Sequence, residues 1–275
     1  MSLLLRITRS TPLPRQVGTR SVSGFANWNF DWIRNEAVKP YAPGSADRAN
    51  LQAEVDALYA APTAEIPCVV NGAEIFTGDI SEDVMPTEHS KVIAKFHNAG
   101  AKEIQAAIDA AMSPQAKEWA SWPFEDRAAV FLKAADLCAG KYREKINASI
   151  MLTTGKTPRE ADIDNSEISD FYRFGVKNAH TIYSMQPESL YEAQNYWNRI
   201  EHRPLEGFVL AIAPFNFCAL GANLAGLPVR CCMATGCLLC VMLRPDMQRC
   251  PCWLLPYHVS DPYPLSGAYG EHCRL

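Results

Sequence analysis

Residues Gly207 to Ala213 read G-F-V-L-A-I-A, seven small or apolar residues without alternation. A half-buried strand alternates polar and apolar side chains. An unbroken apolar run suits a strand covered on both faces of a parallel sheet, which places the chain in the α/β class. Pro214 stops the run, and Asn216 stands just past its carboxyl end, where open α/β sheets bind ligands. Phe217 to Gly226 is rich in small residues, as in a tightly packed helix or a loop pressed against backbone. Asn216 admits two readings. Its amide can cap a helix or satisfy a turn, the commoner use. It can also donate to a carbonyl oxygen on which negative charge develops, as acyl transfer requires.

At 275 residues the chain has room for one large domain or two small ones, and 48% hydrophobic residues suffice for a substantial core. The net charge of −4 comes with no basic stripe, which argues against nucleic acid, and no apolar run is long enough to span a membrane. Arg6, Arg9, Arg15 and Arg20 alternate with Ser, Thr and Leu, and no acid precedes Asp31. An Arg- and Ser-rich, acid-poor segment is the pattern of a mitochondrial transit peptide, so residues 1–30 are expected to be removed and to lie outside the fold. Cys68, Cys138 and Cys218 occupy apolar surroundings that suit small buried thiols in a reducing compartment, while the other seven of the ten cysteines fall between Cys231 and Cys273.

Helical spacing of Leu51, Val55 and Leu58 predicts a helix over 45–60, started by Ser45 or Asp47. Ile66 to Thr77 alternates around Asn71-Gly72, a hairpin signal, and Lys91 to His97 alternates as a third strand, with loops between. Helices are predicted over 102–112, 124–139, 142–152 and 159–183; the last is built on Ile163, Ile168, Phe171, Phe174 and Val176. Residues 194–204 read as an extended arm or strand. Gly155-Lys156-Thr157 looks like the end of a phosphate loop but lacks its upstream glycine, and a helix C-cap followed by a new helix start explains it better.

Pro214-Phe215-Asn216-Phe217, followed by Gly221-Ala222-Asn223-Leu224-Ala225-Gly226, resembles the proline–aromatic–asparagine motif of the aldehyde dehydrogenases. Its Phe-Asn-Phe form resembles the mitochondrial branch that oxidises glutamate γ-semialdehyde, or 1-pyrroline-5-carboxylate. The likeness runs from Ile66 to Pro228. It takes in Glu65-Ile66-Pro67-Cys68-Val69-Val70, Phe131-Leu132-Lys133-Ala134-Ala135-Asp136, Gly155-Lys156-Thr157 and Asp170-Phe171-Tyr172-Arg173-Phe174. The resemblance implies a truncated aldehyde dehydrogenase-like fold: amino-terminal helices and small antiparallel strands leading into an incomplete Rossmann-type parallel sheet over 31–228. It implies an oxyanion-holding role for Asn216, places Phe217 and Glu167 beside the substrate, and sets Ile212, Ala213, Pro214 and Phe215 against NAD. A solvated helix carboxylate is an equally good reading of Glu167. The resemblance further implies an aldehyde substrate, association with the full-length homo-oligomer of the family, and the mitochondrial matrix.

The likeness breaks near Pro228. The family continues with Met-Gly-Asn, another buried strand and Trp-Lys-Pro-Ser, whose lysine and serine meet the adenosine ribose of NAD. Here Val229-Arg230-Cys231-Cys232-Met233-Ala234-Thr235 follows, Val241 to Asp246 echoes the strand only loosely, and no lysine occurs after Lys177. If Ala234 is encoded GCA, Met233-Ala234-Thr235 contains GGC-AAC out of phase, the codons of the missing Gly-Asn. Residues 229–275 are therefore expected to be an irregular tail translated in a shifted frame. The family's catalytic cysteine and glutamate lie in Gly-Gly-Gln-Lys-Cys and Glu-Cys-Gly-Gly-Lys contexts that this tail does not contain. The chain is expected to keep an oxyanion donor without a nucleophile, and so to be inactive. Cys237-x-x-Cys240 has zinc-ligand spacing, and Cys250, Cys252, His258, His272 and Cys273 are available partners. A second Cys-x-x-Cys is missing, and four prolines from Pro251 to Pro264 leave little scaffold, so no metal is expected.

Overall fold

The computed structural model describes residues 29–187, 198–204, 206–211, 216–221 and 238–240. The chain divides into two units, Met1–Trp32 and Ile33–Leu275. Of the first, residues 29–32 are described, with the Asp31 N–H donating to Asn29 Oδ1 at 2.6 Å.

The second unit begins with helix α1 (Ala46–Ala60), whose Ser45 cap accepts from the Arg48 N–H. Five short or moderate strands follow: β1 (Ala64–Ile66), β2 (Cys68–Val70), β3 (Ala73–Ile75), β4 (Ile80–Met85) and β5 (Glu88–His97). The predicted hairpin is there: β2 and β3 pair antiparallel, and Asn71 and Gly72 both have positive φ, as a two-residue primed turn requires. Two expectations fail in this region. Residues 78–90 are not a loop, because Ile80–Met85 forms β4 along one edge of β5. Nor do the strands form one antiparallel piece. The three-stranded sheet has the order β1-β5-β4, with β1 parallel to β5 and β4 antiparallel, and the hairpin forms a sheet of its own. Pro67 is the physical reason for the second difference. It has no N–H to donate, so the ladder breaks there and the residues on either side join different sheets. β4 escaped the alternation test because its register shifts at Asp83–Val84 and its buried position is Asp83.

The helices follow the predicted order: α2 (Ala101–Ala111), α3 (Pro114–Ala120), α4 (Phe124–Ala139), α5 (Arg143–Thr154) and α6 (Pro158–Ser184). The additional short α3 opens on Pro114, a favourable first helical position. On α4, Phe131, Ala134 and Cys138 are buried, and Phe131 meets Tyr172 of α6 with ring centroids 5.8 Å apart. The Asn165 amide donates to Cys138 O at 3.1 Å and ties the same two helices. The α6 stripe holds at Ile168 and Val176, but Phe171 is 47% exposed and is not core. Leu51 of α1 packs with Tyr41 and Ala148 of α5.

A charged network lashes residues 35–41 onto α5 and α6. Arg143 donates to both oxygens of Asp162 at 2.8 Å, to Glu36 Oε1 at 2.8 Å and to Ala37 O at 2.6 Å. Asp162 also accepts from the Lys39 N–H, the Asn147 amide and the Tyr41 hydroxyl. Arg173 joins Glu36 at 2.7 Å, and Asp170 accepts from the Glu36 N–H and the Asn35 amide. Asp162 is fully buried, so every lone pair must find a donor within the protein, and these do so.

Beyond α6, residues 198–204 carry no regular structure. β6 (Val209–Ala211) pairs parallel with β7 (Leu238–Cys240), which lies inside the tail expected to be irregular. Gly207–Ala213 was expected to be buried on both faces. Ala211 is buried, but Phe208 is 42% and Leu210 50% exposed, so the face that carries Phe208 and Leu210 is not covered. Among the described residues no helix is long and apolar enough to cross a membrane.

Candidate functional site

The turn that follows β6 is anchored from below by α6. The α5–α6 connection sets this up. Gly155 closes α5 in the left-handed conformation (φ 69°), Thr157 caps α6 by accepting from the Glu160 N–H, and Glu160 reaches back to the Thr157 N–H at 2.9 Å. The expectation of a C-cap followed by a new start is met. Lys156 is the residue left between the two caps, and its ammonium turns toward α6.

Asp164 lies near the start of α6, three residues after buried Ala161 and four before buried Ile168, so it stands on the buried stripe. It is fully buried. Its Oδ2 accepts from the Cys218 N–H at 2.8 Å, its Oδ1 accepts from the Leu220 N–H at 2.8 Å, and Lys156 Nζ pairs with Oδ2 at 3.1 Å. Lys156 Nζ also sits 4.6 Å from the centroid of the Phe217 ring. One carboxylate thus holds two amides of the 216–221 turn, and one ammonium joins that carboxylate to the ring beside Asn216.

Within this turn Cys218, Ala219 and Gly221 are buried and Phe217 is half-buried, while Asn216 is exposed. The predicted site residues are therefore brought together only in part. Asn216 stands five positions beyond the last residue of β6 and is exposed. Glu167 is half-buried one turn along α6 from Asp164, on the same side of the helix. Ile212, Ala213, Pro214 and Phe215 lie outside the described residues, as do Cys237, Cys250, Cys252, His258, His272 and Cys273. Among the described residues no group of three or more His, Cys, Asp and Glu is placed to hold a metal ion.

Sequence reasoning passed over Asp164 and used Lys156 only as part of a cap. The available signal was a carboxylate on an apolar stripe, which has to be paired when buried. Of the described cysteines, Cys68 donates to His97 O at 3.1 Å, and burial, with a smaller contribution from Glu103, pushes its thiol up.

Comparison with known proteins decides the family. A sequence-family profile described as "Aldehyde dehydrogenase family" matches residues 77–258. The chain belongs to the aldehyde dehydrogenase family. The matched stretch starts inside the likeness read from motifs and runs past Pro228. The Delta-1-pyrroline-5-carboxylate dehydrogenase of Agaricus bisporus is 46% identical over 205 residues, covering 74% of this chain and 37% of that protein. The mitochondrial Delta-1-pyrroline-5-carboxylate dehydrogenase of Emericella nidulans is 44% identical over 229 residues, covering 82% and 39%. A crystal structure of the Delta-pyrroline-5-carboxylate dehydrogenase from Mycobacterium tuberculosis, bound with NAD and cobalamin, superposes with a TM-score of 0.75 at 38% identity, covering 85% of this chain and 42% of that one. This aldehyde dehydrogenase chain spans under two-fifths of the length of those two curated relatives. Its mixed helix and strand architecture is the aldehyde dehydrogenase fold in part.

Proposed function

We propose that the chain supplies the amino-terminal part of an NAD-dependent dehydrogenase that oxidises glutamate γ-semialdehyde, the open form of 1-pyrroline-5-carboxylate, to glutamate in proline breakdown in the mitochondrial matrix. The observation that carries the reading is the 44–46% identity, over about three-quarters of the chain or more, to proteins bearing that dehydrogenase name. The geometry of the 216–221 turn agrees with it. Asn216 offers two amide N–H groups to solvent at the carboxyl end of a parallel strand, where they can meet the aldehyde oxygen as charge builds on it. Phe217, half-buried beneath Lys156, provides an apolar wall, and Glu167 lies one turn from the anchoring carboxylate.

NAD, when bound, accepts the hydride of such an oxidation. The described residues fit only part of its surroundings: the carboxyl end of the parallel β6–β7 pair is of the kind that receives a dinucleotide, and the four residues 212–215 expected to touch it lie outside the described residues. These 275 residues by themselves are proposed not to complete the reaction.

The test is production of NADH, followed by absorbance, from glutamate γ-semialdehyde and NAD with this chain alone. No turnover is expected, and measurable turnover would overturn the proposed inactivity. A second reading, association with other subunits of the family, draws on the exposure of Phe208 and Leu210 on β6. Co-purification with a Delta-1-pyrroline-5-carboxylate dehydrogenase subunit tests it. Fusion of residues 1–30 to a fluorescent reporter tests the address, with matrix fluorescence expected.

A further inference from the structure

We propose that Asp164 and Lys156 are positioning residues that hold the Asn216–Phe217 turn in the attitude the aldehyde oxygen requires; this rests on the role given to Asn216 above. Three observations converge. The Asp164 carboxylate is fully buried and spends one oxygen on each of two alternate amides, Cys218 N–H and Leu220 N–H, both at 2.8 Å. Two amides two residues apart, both turned to one carboxylate, fix the curvature of the backbone between them. They also commit those two N–H groups, so neither is offered to an incoming oxygen, whereas Asn216 is exposed. Lys156 then balances the buried charge at 3.1 Å and, from the other side, covers the Phe217 ring at 4.6 Å. The same ammonium therefore restrains the residue next to Asn216. A carboxylate placed merely for helix stability would need none of these partners from a segment more than fifty residues away.

The experiment is hydrogen exchange on the full chain, read at the amides of Cys218 and Leu220, with the amides of Ala148 and Ile150 in α5 as the measure of general opening. Asp164→Asn and Lys156→Met should exchange roughly tenfold or more faster at Cys218 and Leu220, the scale expected when a charged acceptor serving buried amides is lost or left unbalanced. Lys156→Arg should restore near wild-type protection, and the α5 amides should not change. Unchanged protection at Cys218 and Leu220 in both variants overturns the clamp. So does acceleration of α5 in step with the turn, which marks a general structural role. If Asp164→Asn does not fold, the contrast between Lys156→Met and Lys156→Arg decides. Asn216→Ala is measured alongside and should leave the exchange pattern intact, because the clamp runs through the backbone of Cys218 and Leu220; the clamp then stands or falls independently of the role given to Asn216.

Discussion

Two buried aspartates two residues apart on α6 do different work. Asp162 faces the amino-terminal arm and is locked by Arg143, while Asp164 faces the turn after β6 and is shared with Lys156. Burial by itself would raise the Asp162 carboxyl, but hydrogen bonds from the Arg143 guanidinium, the Lys39 N–H and the Asn147 amide outweigh it and hold it below the usual carboxylate range. An unfolded aspartate titrates near ~3.9. The stabilisation is therefore fully present above about pH 4 and is lost as the pH falls through the still lower folded value. Arg143→Met should destabilise by roughly 3–5 kcal/mol, since it leaves Asp162 buried and uncompensated. Urea melts at neutral pH measure that loss, and melts repeated below about pH 4 should show the gap between variant and wild type narrowing. Neither aspartate was legible in the sequence, because a mid-helix carboxylate reads as solvated until its distant partners are known. The place of Asn216 after β6 was legible, because a strand, a proline and an amide stand together in the chain.

Helices were read well and strands poorly, for a physical reason. The residues predicted for α4 are those observed, since its start, stripe and stop are all local. β4 exists only because β5 lies beside it, and its acidic, bulged sequence shows no alternation. The join between α5 and α6 was also local and was read correctly. Thr157→Ala removes the side chain that accepts from the Glu160 N–H and should cost about 1 kcal/mol. Gly155→Ala forces a Cβ into a left-handed backbone, with only Pro86 within reach at 3.8 Å, so strain rather than collision sets a cost of about 1 kcal/mol. Thermal or urea midpoints of the two single variants and the double variant check both values. Because the caps meet across Lys156, the double variant should lose more protection at Cys218 and Leu220 than either single change.

For the molecule as a whole, the parallel pair β6–β7 carries an uncovered apolar side chain, Leu210 of β6, which is half exposed. Exposed strand edges and apolar side chains invite association, so the purified chain should self-associate at micromolar concentration, as light scattering would show. Leu210→Lys should reduce that association without lowering the urea midpoint, because the side chain it replaces is half in water already. The network at Arg143 has a different consequence, one that concerns time. The arm at residues 35–41 leaves the ribosome early, yet its acceptors on α6 lie 123 and 134 positions downstream. Vectorial synthesis therefore presents Glu36 and Lys39 to the cell for as long as it takes to translate most of the helical layer. The arm is made well before its acceptors and seated only after them, which leaves an interval in which a chaperone or an import channel can hold it.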